Sequence, residues 1–185
     1  YAGYKDSPAR WEIGSTPEPI NCYAGKQYDD CFSAAHKVLE NFEKNFPQWK
    51  GRGFEIAGFV WWQGHKDQGS LVHAQLYEQN LVHLIKTLRT EFDAPQAPFA
   101  IATIGFEGWE MEGNALTVAK AQLAVSGEKG KYPEFKGYVR TIETRGFWRD
   151  ASISPRNQGF HYNQNAETYM LVGEALGDAI LSLIK

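Results

Sequence analysis

Two short stretches carry the residue types that acyl-transfer chemistry uses. The first is Trp61-Trp62-Gln63-Gly64-His65-Lys66-Asp67, where a carboxamide and a glycine directly follow an apolar run. A Gln side-chain NH₂ and a Gly backbone N–H are the donor types that stabilise a developing oxyanion. The plainer alternative is that Gln63 satisfies loop backbone and Gly64 only makes the turn. The second stretch is Gly159-Phe160-His161-Tyr162-Asn163, which follows a polar loop and precedes a helix signal. A neutral imidazole at His161 can take a proton from a hydroxyl nucleophile. Here the plainer alternative is a loop histidine bonded to backbone. His65, Asp67 and His73 invite a metal reading, since His and carboxylate are proper ligands. They lack the spacing of a closed site, and solvent-facing loop and helix positions explain them, so no metal and no cofactor is expected. His36 and His83 fall within helical patterns as surface or boundary residues.

The elements that must position these residues alternate. Residues 1–27 carry Pro8, Pro17, Pro19 and several glycines without periodicity, which reads as a long loop or insertion. Asp29 or Asp30 can cap a helix whose apolar positions Phe32, Ala35, Leu39, Phe42 and Phe46 step by three or four until Pro47. Residues 54–62 are a nearly continuous apolar run and read as a buried parallel strand. Residues 71–92 form the clearest helix, with Tyr77, Leu81, Leu84, Leu88 and Phe92 on one face and its charged residues on the solvated one. A second buried strand spans 99–104, and Gly105-Phe106-Glu107 opens the loop beyond it. Asn114 is the expected cap of a helix to about Ser126. Residues 137–144 give a third strand. Asn165 caps a last helix with Tyr169, Val172, Leu176, Ile180 and Leu183 aligned. This alternation predicts an α/β domain with a three-layer, doubly wound parallel sheet, in which ligands bind beyond the carboxyl ends of the strands. Three strands are few for such a sheet, so the whole of 1–185 reads as the C-terminal portion of one domain, incomplete in this chain.

Composition narrows the function classes. At 185 residues with 43% hydrophobic and 22% charged residues, the chain is ordinary globular material able to form one core. A formal charge of -3 offers no basic footprint for nucleic acid. No apolar stretch is long enough to span a bilayer. Aromatic residues reach 14%, and Trp11, Trp109 and Trp148 sit beside Gly or Pro in loops, where sugar stacking competes with simple packing. Cys22 and Cys31 have no metal spacing; a disulfide in a secreted protein and two free thiols both remain open, and the compartment is left unassigned, with an extracytoplasmic one favoured.

The two chemical stretches together, about a hundred residues apart and in this order, are more specific than either alone. FVWWQGHKD (59–67) resembles the Trp-Trp-Gln-Gly-Glu-type block of sialate O-acetylesterase-like carbohydrate acetylesterases of the SGNH hydrolase superfamily. GFHYNQNAETYMLVGEALGDAIL (159–181) resembles the histidine block and closing helix of the same group, and the similarity takes in INCYAGKQYD (20–29). The resemblance implies an SGNH/flavodoxin-like fold and a serine esterase that removes O-acetyl groups from sugars. It assigns His161 as general base and acid, and Gln63 with the Gly64 backbone to the oxyanion hole. The family's serine follows the first strand in a Gly-Gln-Ser-Asn-like block that is absent here. Ser7, Ser15, Ser33, Ser70, Ser126, Ser152, Ser154 and Ser182 all lack that context. An upstream segment or companion chain is therefore expected to carry the nucleophile and the first strands, with an acetylated carbohydrate as substrate. Two positions depart from the pattern: His65 stands where an acid often follows Gln-Gly, and Gln158 stands three residues before His161 where many members have Asp. Asp67 is then the nearest acidic candidate for the third triad member, with a backbone carbonyl as the other possibility. These departures keep a second expectation open, a non-catalytic carbohydrate-binding or structural relative. A flavodoxin-like nucleotide-binding domain ranks last, because no phosphate-cradling Gly-rich turn follows a strand.

Overall fold

The computed structural model describes residues 26–184. The long N-terminal loop, Trp11 and Cys22 lie outside the described residues; Cys31 is an exposed free cysteine. Two helices come first, α1 (Lys26–Glu40) and α2 (Phe42–Asn45), followed by strand β1 (Phe59–Trp61) and the short α3 (His65–Gln68). Then come α4 (Leu71–Glu91), β2 (Phe99–Ala102), α5 (Gly113–Ala124), β3 (Val139–Ile142) and α6 (Ala166–Leu183). The three strands pair in parallel in the order β1-β2-β3, with Phe59 opposite Phe99 and Phe99 opposite Val139.

Alternation along β2 divides the core into two layers, because successive strand side chains face opposite sides. Phe99 and Ile101 pack with Tyr77, Leu81, Leu84 and Ile85 of α4 and Val118 and Ala119 of α5. Ala100 and Ala102 face Val172, Leu176 and Ala179 of α6. Small residues on that side let α6 lie close to the sheet, and its Asn165 cap accepts from Thr168 N at 3.2 Å, as its position before the helix predicts. Helices therefore cover both faces. The strand order runs in one direction, however, and the reversal that defines double winding does not occur among the described residues.

Four local expectations are corrected. The β1 run is not buried: Val60 is 57% exposed, because β1 is an edge strand paired only with β2 among the described residues. The first helix starts at Lys26, which puts Asp29 in its first turn rather than at the cap, and it breaks at Asn41, whose Nδ2 donates to Lys37 O at 2.9 Å. A side chain that bonds nearby backbone competes with the helical ladder. Asn114 does not cap α5, whose cap is Glu112; its Nδ2 instead donates to Gln68 O at 3.1 Å and ties α5 to α3. Asp67 is not solvent-facing, being 1% exposed beneath the turn into α3.

Candidate active site

The corner after β1 is held by a buried polar network. Gln63 Nε2 donates to Asp67 Oδ2 at 2.7 Å, so one of its two amide hydrogens is fixed on a carboxylate. The Gln63 carbonyl accepts from Gln122 Nε2 and from the Tyr77 hydroxyl, each at 2.7 Å. Tyr77 also lies 3.1 Å from Gln63 Oε1, and its oxygen accepts from Gln122 Nε2 at 3.2 Å. Gln122 Oε1 completes the set by accepting from Ile104 N at 2.8 Å. Burial drives the Tyr77 phenol well above its ordinary range, which keeps it a neutral donor. Gly64 turns the chain at φ 149°, and a Cβ there would stand 2.9 Å from Ile104 Cγ2 and Val118 Cγ1. Only glycine lets this backbone press against the core and still leave the strand.

The histidine loop is held by an unusual backbone. Tyr162, Asn163 and Gln164 follow one another at φ 49°, 53° and 55°. Such left-handed residues persist only when the surroundings over-determine them, and they concentrate at functional sites. Here Asn163 does the fixing: buried to 2%, it accepts from Gln158 N at 2.9 Å and donates to Arg149 O at 3.0 Å. Tyr162 turns inward, its ring 4.6 Å from Phe106 and 4.9 Å from Trp62, and its hydroxyl accepts from Gly105 N at 3.3 Å. Burial pushes its phenol up to about 12. Trp62 Nε1 is buried beside it without a hydrogen bond of good geometry. His161 stays outward. Its imidazole makes no hydrogen bond among the described residues and packs on Phe160 at 4.4 Å. Phe160 also meets His65 at 5.7 Å, and His65 stands edge-on to Phe106 at 5.2 Å. Partial burial, then the neighbouring His161 and Lys66, lower the His65 pKa.

The strand ends thus gather the Gln63-Gly64 corner, His65, Phe106 and His161 at the carboxyl edge of the sheet. Asp67 holds Gln63 through its Oδ2. No serine among the described residues bonds the His161 ring. A cleft of about 600 Å³ adjoins it, lined by His161, Gln164, Ala166, Tyr169 and Met170. A larger hollow of about 730 Å³, lined by Phe54, Ile56, Pro98 and Tyr138 among others, lies at the amino ends of the strands, away from these groups. No group of three His, Cys, Asp or Glu able to hold a metal occurs among the described residues. Tyr77, Gln122 and Asn163 were not singled out from the sequence. Gln122 had a usable signal, a lone polar side chain inside the apolar stretch Ala121 to Val125.

An α/β domain with a histidine and an amide-glycine corner at its strand ends has the layout of a hydrolase of the SGNH type. The model of the carbohydrate esterases described as sialic acid-specific acetylesterases matches residues 9–182, and the chain belongs to that family. A crystal structure of a protein from Arabidopsis thaliana is similar over 82% of this chain and 53% of that one, with 24% identity and a TM-score of 0.55. The chain spans about half the length of that relative, and the likeness is one of fold. No curated protein matches.

Proposed function

We propose that this chain carries the base and part of the oxyanion hole of a serine-type esterase that removes O-acetyl groups from carbohydrates. His161 is the observation that supports it most: an exposed imidazole at the carboxyl edge of a parallel sheet, on a backbone held in a costly conformation. In this proposal the serine Oγ attacks the acetyl carbonyl while His161 takes its proton, then returns that proton to the departing sugar oxygen. Water attacks the acyl-enzyme by the same exchange. The second Gln63 amide hydrogen and the Gly64 N–H donate to the tetrahedral oxyanion, and Asp67 acts through Gln63 as a positioning residue. The serine comes from a segment upstream of Tyr1 that adds strands beside β1 and supplies the winding reversal of a doubly wound sheet. What supports this is that β1 has a single pairing among the described residues, and that Val60, on the α6-covered face with Ala100, is exposed.

The second reading, a carbohydrate-binding relative without catalysis, draws on the His161 ring having no carboxylate partner among the described residues. One experiment separates the two. In the polypeptide that joins this chain to the proposed upstream segment, His161→Ala is expected to lower kcat on a small acetyl ester by about 10⁴-fold. The melting temperature should hold, since the ring is exposed. Undiminished activity in the variant, or no acetyl-ester turnover by the intact protein, overturns the esterase proposal and leaves the binding relative.

A further inference from the structure

We infer that the loops after β2 and β3 form a stacking platform for a neutral pyranose, built from Trp109 and Arg145. The platform rests on the carbohydrate reading above, though not on turnover. Glu107 and Gly108 are left-handed in succession, at φ 60° and 57°, and lift Trp109 out of the loop to 65% exposure. An indole so open offers an apolar plane with a polar edge that a ligand can cover. One face is already set, because Arg145 Cζ stands 4.8 Å from the ring centroid. That guanidinium is fixed from behind: Nε donates to Glu143 Oε1 at 3.0 Å and Nη2 to Oε2 at 2.7 Å. The backbone N of Arg145 reaches the same Oε1 at 3.0 Å, and Thr103 Oγ1 adds a bond at 3.2 Å. Burial raises the Glu143 pKa, but the bonds from Arg145 outweigh it and leave the carboxyl below its ordinary value, so the pair stays charged. With Trp109 65% exposed, its indole offers an apolar plane for the C–H face of a sugar ring.

Charge selects the class of sugar. Glu143 cancels Arg145, while Glu107, Glu110 and Glu112 are exposed on the Trp109 loop. Carboxylates accept from sugar hydroxyls and repel an anionic ring, so the surface favours a neutral pyranose over a sialylated one. The platform and His161 belong to one rigid assembly, since Phe106 of the same loop stacks on Tyr162.

The test is binding by calorimetry of the full chain to cellotetraose, maltotetraose and 3′-sialyllactose. At least one neutral oligosaccharide should bind, and more tightly than sialyllactose. Trp109→Ala should weaken that binding by about tenfold or more with an unchanged melt, and Trp109→Phe should recover part of it. The platform is overturned if no neutral oligosaccharide binds at millimolar concentration. It is equally overturned if sialyllactose binds as tightly, or if Trp109→Ala leaves the affinity unaltered. Neutral binding through Trp109 without ester hydrolysis would sustain the platform and sink the esterase; hydrolysis without such binding would do the reverse.

Discussion

Replacing Asn163 by alanine removes two hydrogen bonds; it orphans the Gln158 N–H, while the Arg149 C=O keeps its bond from Ser154 Oγ at 3.2 Å. An orphaned group costs about 1–3 kcal/mol, and because Gln158 is itself only half-buried the lower end applies, about 1–2 kcal/mol. Alanine at φ 53° adds a left-handed penalty of about 1–2 kcal/mol that asparagine largely escapes through its local hydrogen bonding. Asn163→Ala should therefore lose about 2–4 kcal/mol. Asn163→Gly shares the lost bonds without the backbone strain and should lie about 1 kcal/mol above the alanine variant. Urea unfolding followed by tryptophan fluorescence reads both values. In the catalytically complete polypeptide the same variants should also lower the proposed esterase activity, since the loop that carries His161 is what they release. A loss under about 1 kcal/mol for Asn163→Ala, or a glycine variant less stable than the alanine one, would refute the claim that this side chain clamps a strained loop.

Two further outcomes follow from the site. Gln63→Ala in the catalytically complete polypeptide should lower kcat about 10²–10³-fold with little change in KM, as loss of an oxyanion donor does, and unchanged kcat would return Gln63 to a loop role. The His65 imidazole should titrate below 6.5 by NMR, chiefly because it is partly buried, and its midpoint should rise in His161→Gln, because the electrostatic influence of His161 is removed. A folded pKa below the unfolded one means that the unfolded chain binds the proton more readily. Any contribution of His65 is thus complete above 6.5 and falls away as pH drops towards the folded value. A midpoint at or above 6.5 counts against the pairing.

Much of this architecture was legible because period and length agree. The face Tyr77, Leu81, Leu84 of α4 and the cap Asn165 of α6 are local patterns, and they appear where the sequence put them. What failed depends on neighbours distant in sequence. The apolar run before Gln63 says strand, but only pairing decides whether that strand is central or at an edge. Asp67 and Tyr77 were sorted by residue type, one as solvated and one as core. In the fold a four-residue helix carries Asp67 inward, and Tyr77 uses its ring in the core and its hydroxyl on Gln63. Asn163 was legible only as a loop polar residue, since nothing in its neighbourhood announces three left-handed residues in a row.

The register of the sheet also sets how the chain must fold. Phe59 meets Phe99, and Phe99 meets Val139, so each strand pairing closes a loop of about forty residues. Neither pairing is nearer in sequence than the other, and both need β2. The loop-closure entropy of each is about 3 kcal/mol before any constant, and it must be met before strand contacts repay it. The central strand among the described residues, with its Phe99 and Ile101 against α4, is then the natural nucleus, since both pairings depend on it. During synthesis β1 emerges about forty residues ahead of β2, so the strand that carries the Gln63-Gly64 corner waits for this partner while α4 is being made.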